Sequence, residues 1–190
     1  MHELATIPFS RTSATDWSAI SHERLRISER ALQGAVLVKL SRRVDVDAAL
    51  RSVIGNRPPA PGTWIANAET QWLWQGPREW LLISQAVPGS ALTERIATGL
   101  AGTTAIAREI TDKLLVLDIA GTASERLFSK GTSLDRALVP PSACWRTRFA
   151  NLPSTVVRGT SPPDFTLITD RSTAVYLHQW IARAAADPAT

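Results

Sequence analysis

Few of the side chains that could do chemistry fall at spacings that would let them act together. Three histidines, His2, His22 and His178, are the metal-ligand and proton-relay candidates. Two lie near the N-terminus and one near the C-terminus, so no pair has the short spacing that brings two imidazoles to one ion, and no metal site is expected. The single cysteine, Cys144, cannot form an internal disulfide and reads as a small buried thiol rather than a nucleophile. A phosphate-cradling glycine loop, a Gly-x-Ser-x-Gly elbow and a dinucleotide fingerprint are all missing. Among the acids, Asp112 and Asp118 flank a strand-like run, where ion pairing or helix capping is the expected role. Proton transfer needs convergent titratable groups within hydrogen-bond reach, and no such convergence is visible. Glu79, beside Trp80, is the carboxylate placed best to touch a ligand. The expectation is a chain with no catalytic, cofactor-binding or metal-binding residue of its own.

The elements that would hold these residues can be read from periodicity. Three of the seven tryptophans fall in "WLWQGPREWLLIS", residues 72–84. A turn at residues 75–78 predicts a hairpin built on Trp74, Gly76, Pro77 and Trp80, with Trp72 and Trp74 on one face because strand side chains alternate. Packing in a hairpin core accounts for most of this aromatic density, since cross-strand aromatic pairs add about 0.2 to 1 kcal/mol beyond their burial. Around it, "AVLVKLS" is a strand and "VDVDAALRSVIG" a helix capped by Asp45 or Asp47 and stopped at Gly55. "TWIAN" is a strand and "ALTERIATGLAG" a helix behind Ser90. The same order follows. "KLLVLDIAG", residues 113–121, is a buried strand, and a helix opens on a capping box from Thr122 to Glu125 and ends at Gly131 in a left-handed conformation. Strands "CWRTRFA", "STVVRG" and "FTLIT" come next, then a helix from about Ser172 with Leu177, Trp180, Ile181 and Ala184 toward the core. "ERLRISER" and "TTAIAREI" read as strands ahead of each half.

An offset of about 80 residues brings the halves into element-by-element match, the mark of an internal duplication. The predicted fold class is α+β, with antiparallel sheets covered by helices. The predicted organisation is an extension over residues 1–22, a domain over 23–186 with repeats at about 23–102 and 103–186, and a tail at 187–190. The first twenty residues are polar and aperiodic, and are expected to order on a partner.

Composition limits the partners. With 190 residues, 44% of them hydrophobic, the chain can bury about 70% of its unfolded surface. It has no apolar run of the roughly 18 residues a membrane span needs, and its start resembles no leader, so a cytoplasmic protein without a membrane partner is expected. A net charge of +4 and a pI near 10.0 raise the question of nucleic acid. The basic residues are scattered and nearly all arginine, without the basic run of a nucleic-acid binder, and arginine equally suits an acidic protein partner. Alternation in "CWRTRFA" places Trp145, Thr147 and Phe149 on one face, expected in the core, and Arg146 and Arg148 on the other, expected outward as a partner interface.

Four motifs in order carry a resemblance: Pro61-Gly62, the hairpin from Trp74 to Leu81 in "LWQGPREWLL", "KGTSLD" over residues 130–135, and the C-terminal stretch from Arg171 to Trp180. Together they resemble the gamma subunit of bacterial heterotetrameric sarcosine oxidase over about residues 25–181. The resemblance implies a fold like the folate-binding domain of the glycine-cleavage aminomethyltransferases. It also implies a noncatalytic companion docked directly on the alpha subunit, alongside beta and delta subunits. FAD, FMN, NAD and tetrahydrofolate are then expected in the partner subunits, in a complex that oxidatively demethylates sarcosine to glycine and passes the one-carbon unit to tetrahydrofolate. The alternatives are a freestanding folate-binding or one-carbon transfer domain and, on the pI alone, a nucleic-acid binder.

Overall fold

The computed structural model describes residues 19–22, 24–135 and 139–186. Its elements are β1 (Ile20–His22), β2 (Leu25–Glu29), β3 (Gly34–Leu40), α1 (Val46–Ile54), β4 (Trp64–Ala66), β5 (Gln71–Gly76), β6 (Glu79–Ser84) and α2 (Gly89–Gly99). Then come β7 (Ala105–Glu109), β8 (Leu114–Ala120), α3 (Ser124–Gly131), β9 (Cys144–Phe149), β10 (Leu152–Arg158), β11 (Phe165–Asp170) and α4 (Ala174–Ala186). The strands form two antiparallel sheets, β4-β5-β6-β3-β7 and β1-β2-β8-β11-β10-β9. This is the expected α+β class, and the hydrophobic run of each central strand explains it: both faces of both sheets are covered.

Alternation sorts the side chains into three cores. Val36, Val38, Trp72, Trp80 and Leu82 pack on Leu50 of α1 and Leu92 and Ile96 of α2. Leu115, Leu117, Phe149 and Leu167 pack on Leu127 and Phe128 of α3 and Leu177 and Ile181 of α4. The opposite faces, including Leu73, Leu81, Val116, Val157 and Ile168, meet between the sheets. The result is four layers, helices outside and sheets inside, each fully buried large side chain contributing about 1.5 to 3 kcal/mol. The hairpin tryptophans are structural in this sense: Trp72 and Trp80 are buried, and Trp74, paired directly across from Trp80, packs on the same cluster.

The strands ahead of each half do not stay with it. β2 pairs with β8, and β7 pairs with β3, so each joins the sheet built by the other half. Read from its β4 or β9 edge, each sheet therefore runs in the same order, and β1 is an added strand on the outer edge of β2. At the other side the two proline loops meet. Thr63 bridges to Ala143, and the Cys144 N–H donates to the Gly62 carbonyl at 2.8 Å.

Several local expectations are corrected. The extension is not wholly outside the fold, since β1 begins at Ile20; residues 1–18 and 187–190 lie outside the described residues. Asp45, not Asp47, caps α1 by accepting from the Ala48 N–H, and Gly55 closes it at φ 73°. The capping box at residues 122–125 does not form. Ala123 is the N-cap of α3, and Asp164 from the turn before β11 accepts instead from the Gly121 N–H and the Ser124 hydroxyl, at 2.9 and 3.0 Å. Gly131 is not left-handed. It is the last residue of α3, and a Cβ there would come within 2.2 Å of the Phe149 ring, so glycine is required by close packing. Ser90 lies inside α2, behind Pro88 as N-cap. The hairpin turn is Gly76 to Glu79, one residue later than the pattern indicates, because a register shift sits between Trp74 and Gly76. Arg78 takes φ 65° there, a conformation that favours glycine, and its guanidinium donates to the Ser41 and Val44 carbonyls.

Candidate functional site

The layer between the sheets is apolar in the middle and polar at both ends. At one end Asp118, an interior residue of β8 rather than a flanking one, is gripped by Arg30. Nε donates to Oδ2 at 2.9 Å and Nη2 to Oδ1 at 2.5 Å. Thr166 donates to the same carboxylate at 2.9 Å, and Arg30 reaches across to Gln71 of the other sheet at 3.4 Å. The two charged side chains are only 17% and 23% exposed. A bidentate pair with its lone pairs satisfied is a structural clamp, and it ties three strands of one sheet to the other sheet.

The opposite end is a cleft of about 650 Å³ between the sheets. Leu37, Leu81, Ile110, Leu114 and Ile168 form its apolar walls. Gln75 and Thr155, one from each sheet, meet in its depth: the Thr155 hydroxyl donates to Gln75 Oε1 at 2.9 Å, while Gln75 Nε2 is buried without a hydrogen-bond partner. Glu79 also lines the cleft and is shared between Lys39 at 3.0 Å and Arg146 at 3.7 Å. Asp170 caps the turn at Arg171–Thr173 and sits 3.8 Å from Lys113. The hydrogen bond from the Ser172 hydroxyl, helped by the Ser172 N–H and by Lys113, holds its carboxyl below the usual carboxylate range against the opposing effect of burial.

The predicted interface arginines lie here. Arg146 and Arg148 project on the side of β9 that lines the cleft rather than away from the molecule, and their heads remain exposed at its mouth. Arg148 donates to the Asn151 carbonyl at 2.7 Å. Of the opposite face, Phe149 is buried and Thr147 half-buried, but Trp145 is 38% exposed and does not join the core. It stands at the start of an edge strand, away from the packing of Phe149 on Phe128 and Trp180. Glu79 is thus brought together with Arg146, while Asp112 lies in the short turn Thr111–Lys113 and Asp118 is at the far end. Cys144 is buried between the sheets, its thiol donating to the Trp74 carbonyl at 3.3 Å, and burial pushes its pKa up to about 12. At neutral pH it is protonated and inert. Among the described residues no group of three or more His, Cys, Asp or Glu could hold a metal ion. No described helix is long and apolar enough to cross a membrane.

Several polar contributors to this cleft carry no local sign of it in the sequence, among them Arg108, Lys113, Thr155 and Asp170. For Gln75 a signal existed, since it is polar at a position continuing the inward alternation of Gln71 and Leu73. Its pairing with Thr155 crosses 80 residues and has no local signature.

Comparison with known proteins bears on what this arrangement serves. No curated protein sequence matches the chain. Among solved structures, a heterotetrameric sarcosine oxidase from Corynebacterium sp. U-96, in complex with pyrrole 2-carboxylate, superposes with a TM-score of 0.76 at 22% identity, covering 87% of this chain and 86% of the matched one. The glycine cleavage system aminomethyltransferase T from Bartonella henselae superposes with a TM-score of 0.62 at 9% identity, over 83% of this chain and 45% of that one. At such identities these likenesses show a shared fold. The model of the sarcosine oxidase gamma subunit family matches residues 43–187, from the loop before α1 to just past α4, and the chain belongs to that family.

Proposed function

We propose that the chain is a noncatalytic subunit of a heterotetrameric sarcosine oxidase, docked directly on the large alpha subunit of a complex that also contains beta and delta subunits. In this reading the partners hold FAD, FMN, NAD and tetrahydrofolate. The assembly oxidises the N-methyl group of sarcosine, releases glycine and passes the one-carbon unit to tetrahydrofolate in the cytoplasm. The observation that carries the reading is the family match over residues 43–187, which includes every strand of the five-stranded sheet from β4 onward and both helix pairs. The cleft agrees with it. Its carboxylates, Glu79 and Asp170, both have basic partners, and its arginines lie exposed at the mouth, an arrangement suited to gripping and not to proton transfer.

Co-expression with the large subunits tests the proposal. A stable complex is expected, with the chain alone binding no flavin; a chain that never associates overturns it. The fold shared with an aminomethyltransferase also supports a second reading, a freestanding folate-binding domain. Calorimetry of the isolated chain with tetrahydrofolate separates the two, and binding there favours the second.

A further inference from the structure

The cleft at the Gln75 end is unfinished as the chain stands, and what it lacks is specific. Gln75 is buried, its Oε1 is used by Thr155, and its Nε2 has no partner. Turning the amide over only exchanges which atom is left out, because one hydroxyl cannot serve both. Buried polar atoms without hydrogen bonds are uncommon in finished interiors. The rim is unevenly charged: Arg108, Lys113, Arg146 and Arg148 face Glu79 and Asp170, and both carboxylates already have basic neighbours. The missing chemistry is an acceptor oxygen at depth and negative charge at the mouth.

A second observation distinguishes a polypeptide from a small molecule. β2 and β7 occupy corresponding places in the two sheets, and the outer edge of β2 is covered by β1. β7 pairs only with β3, so among the described residues no strand covers its outer edge. The same strand brings Arg108 to the cleft and carries Ile106, 63% exposed, two residues away on the same face. Such a strand edge with an exposed apolar side chain, beside a basic cleft, is what an added strand recognises.

Resting on the reading that the chain docks on a larger subunit, we infer that the Gln75 end of the intersheet cleft, together with the outer edge of β7, receives an extended acidic segment of that subunit. An oxygen of the segment accepts from Gln75 Nε2. Its carboxylates lie between Arg108 on one sheet and Arg146 and Arg148 on the other.

The test measures binding of the full chain to the purified large subunits at low and high salt. Replacing Arg146 and Arg148 together by Glu should weaken binding by about tenfold or more and flatten its salt dependence, because rim charges steer association. Gln75→Leu combined with Thr155→Val removes the amide together with the hydroxyl that would otherwise lose its acceptor, and should weaken binding roughly threefold to tenfold while the isolated double variant melts no lower than the wild type. If charge reversal unfolds the chain, the Arg146→Gln, Arg148→Gln double variant takes its place. Amides of residues 105–109 should exchange more slowly in the complex. Wild-type affinity in every variant, with the unmodified chain binding normally, overturns the inference and leaves the docking reading standing. An unmodified chain that does not bind at all overturns both. Benzoate that shifts the Gln75 side-chain amide resonance, and that the large subunits fail to displace, marks a small-anion site and overturns the inference as well.

Discussion

The two ends of the space between the sheets are built from corresponding positions and finish differently. Arg30 follows β2 and Ile110 follows β7, and each donates its backbone N–H to the neighbouring central strand, to Val116 and Ala35 respectively, both at 2.8 Å. Arg30 has a guanidinium with which to seize Asp118 and reach Gln71, so the charges at that end are tied to one another and to both sheets. Ile110 has nothing polar to offer. Leu37 and its cross-strand partner Leu81 stand where Asp118 and Thr166 stand at the other end, Lys39 pairs with Glu79 nearer the mouth, and Gln75 is left half-satisfied. Three polar-for-apolar differences at corresponding positions, Arg30 against Ile110, Asp118 against Leu37 and Thr166 against Leu81, thus separate a clamp from an open cleft. Internal stability is concentrated at the first end and exposed charge at the second.

That contrast can be broken by unequal responses to similar changes. The largest effect is expected for Arg30→Leu, about 3 kcal/mol in urea denaturation, because it strands a mostly buried carboxylate. Adding Asp118→Leu should cost much less than the sum of the single changes; strict additivity would show that the clamp is not a unit. Asp170→Ala, at the open end, should cost about 1 kcal/mol through loss of the cap on Ser172. Its folded carboxyl is depressed, so its stabilisation is present above the unfolded pKa and lost as pH falls through the folded one. Melting curves of variant and wild type should therefore converge as pH falls through the depressed folded value, below the ordinary aspartate pKa of about 3.9, and an undiminished gap in strong acid would assign the loss to something other than the charge. Arg146→Leu should change stability by less than about 1 kcal/mol, since its pair with Glu79 is long and more than half exposed on the arginine side. A loss as large as that of Arg30→Leu would erase the distinction between the ends. The smallest response is expected from Cys144: with its pKa near 12, it should resist alkylation at about pH 8 until the chain unfolds, and rapid native labelling would mean the intersheet core is open.

The tryptophan hairpin, the strand runs and α1 with its Asp45 and Gly55 limits were legible because each is written in local alternation, capping or turn chemistry. The failures have physical causes. Gly131 has the form of a helix stop but answers to the Phe149 ring, a contact no local pattern encodes. Thr122 to Glu125 has capping-box spacing, yet Asp164, 40 residues away from Ser124, supplies the oxygen. Arg146 and Arg148 were separated correctly from Phe149 by strand alternation, but their face turned out to border a cleft, which depends on where the second sheet lies. Arg30 and Asp118 are 88 residues apart, and neither had a local sign of the other.

The exchange of β2 and β7 has a further consequence. Severing the backbone near Gly102 would leave two fragments, each holding a strand whose hydrogen-bonding neighbour resides in the other. Neither piece could complete its own sheet, and each would display a raw edge prone to self-association. The molecule is clasped like two hands with interlaced fingers, so its halves should melt as one cooperative unit and regain structure only by finding each other.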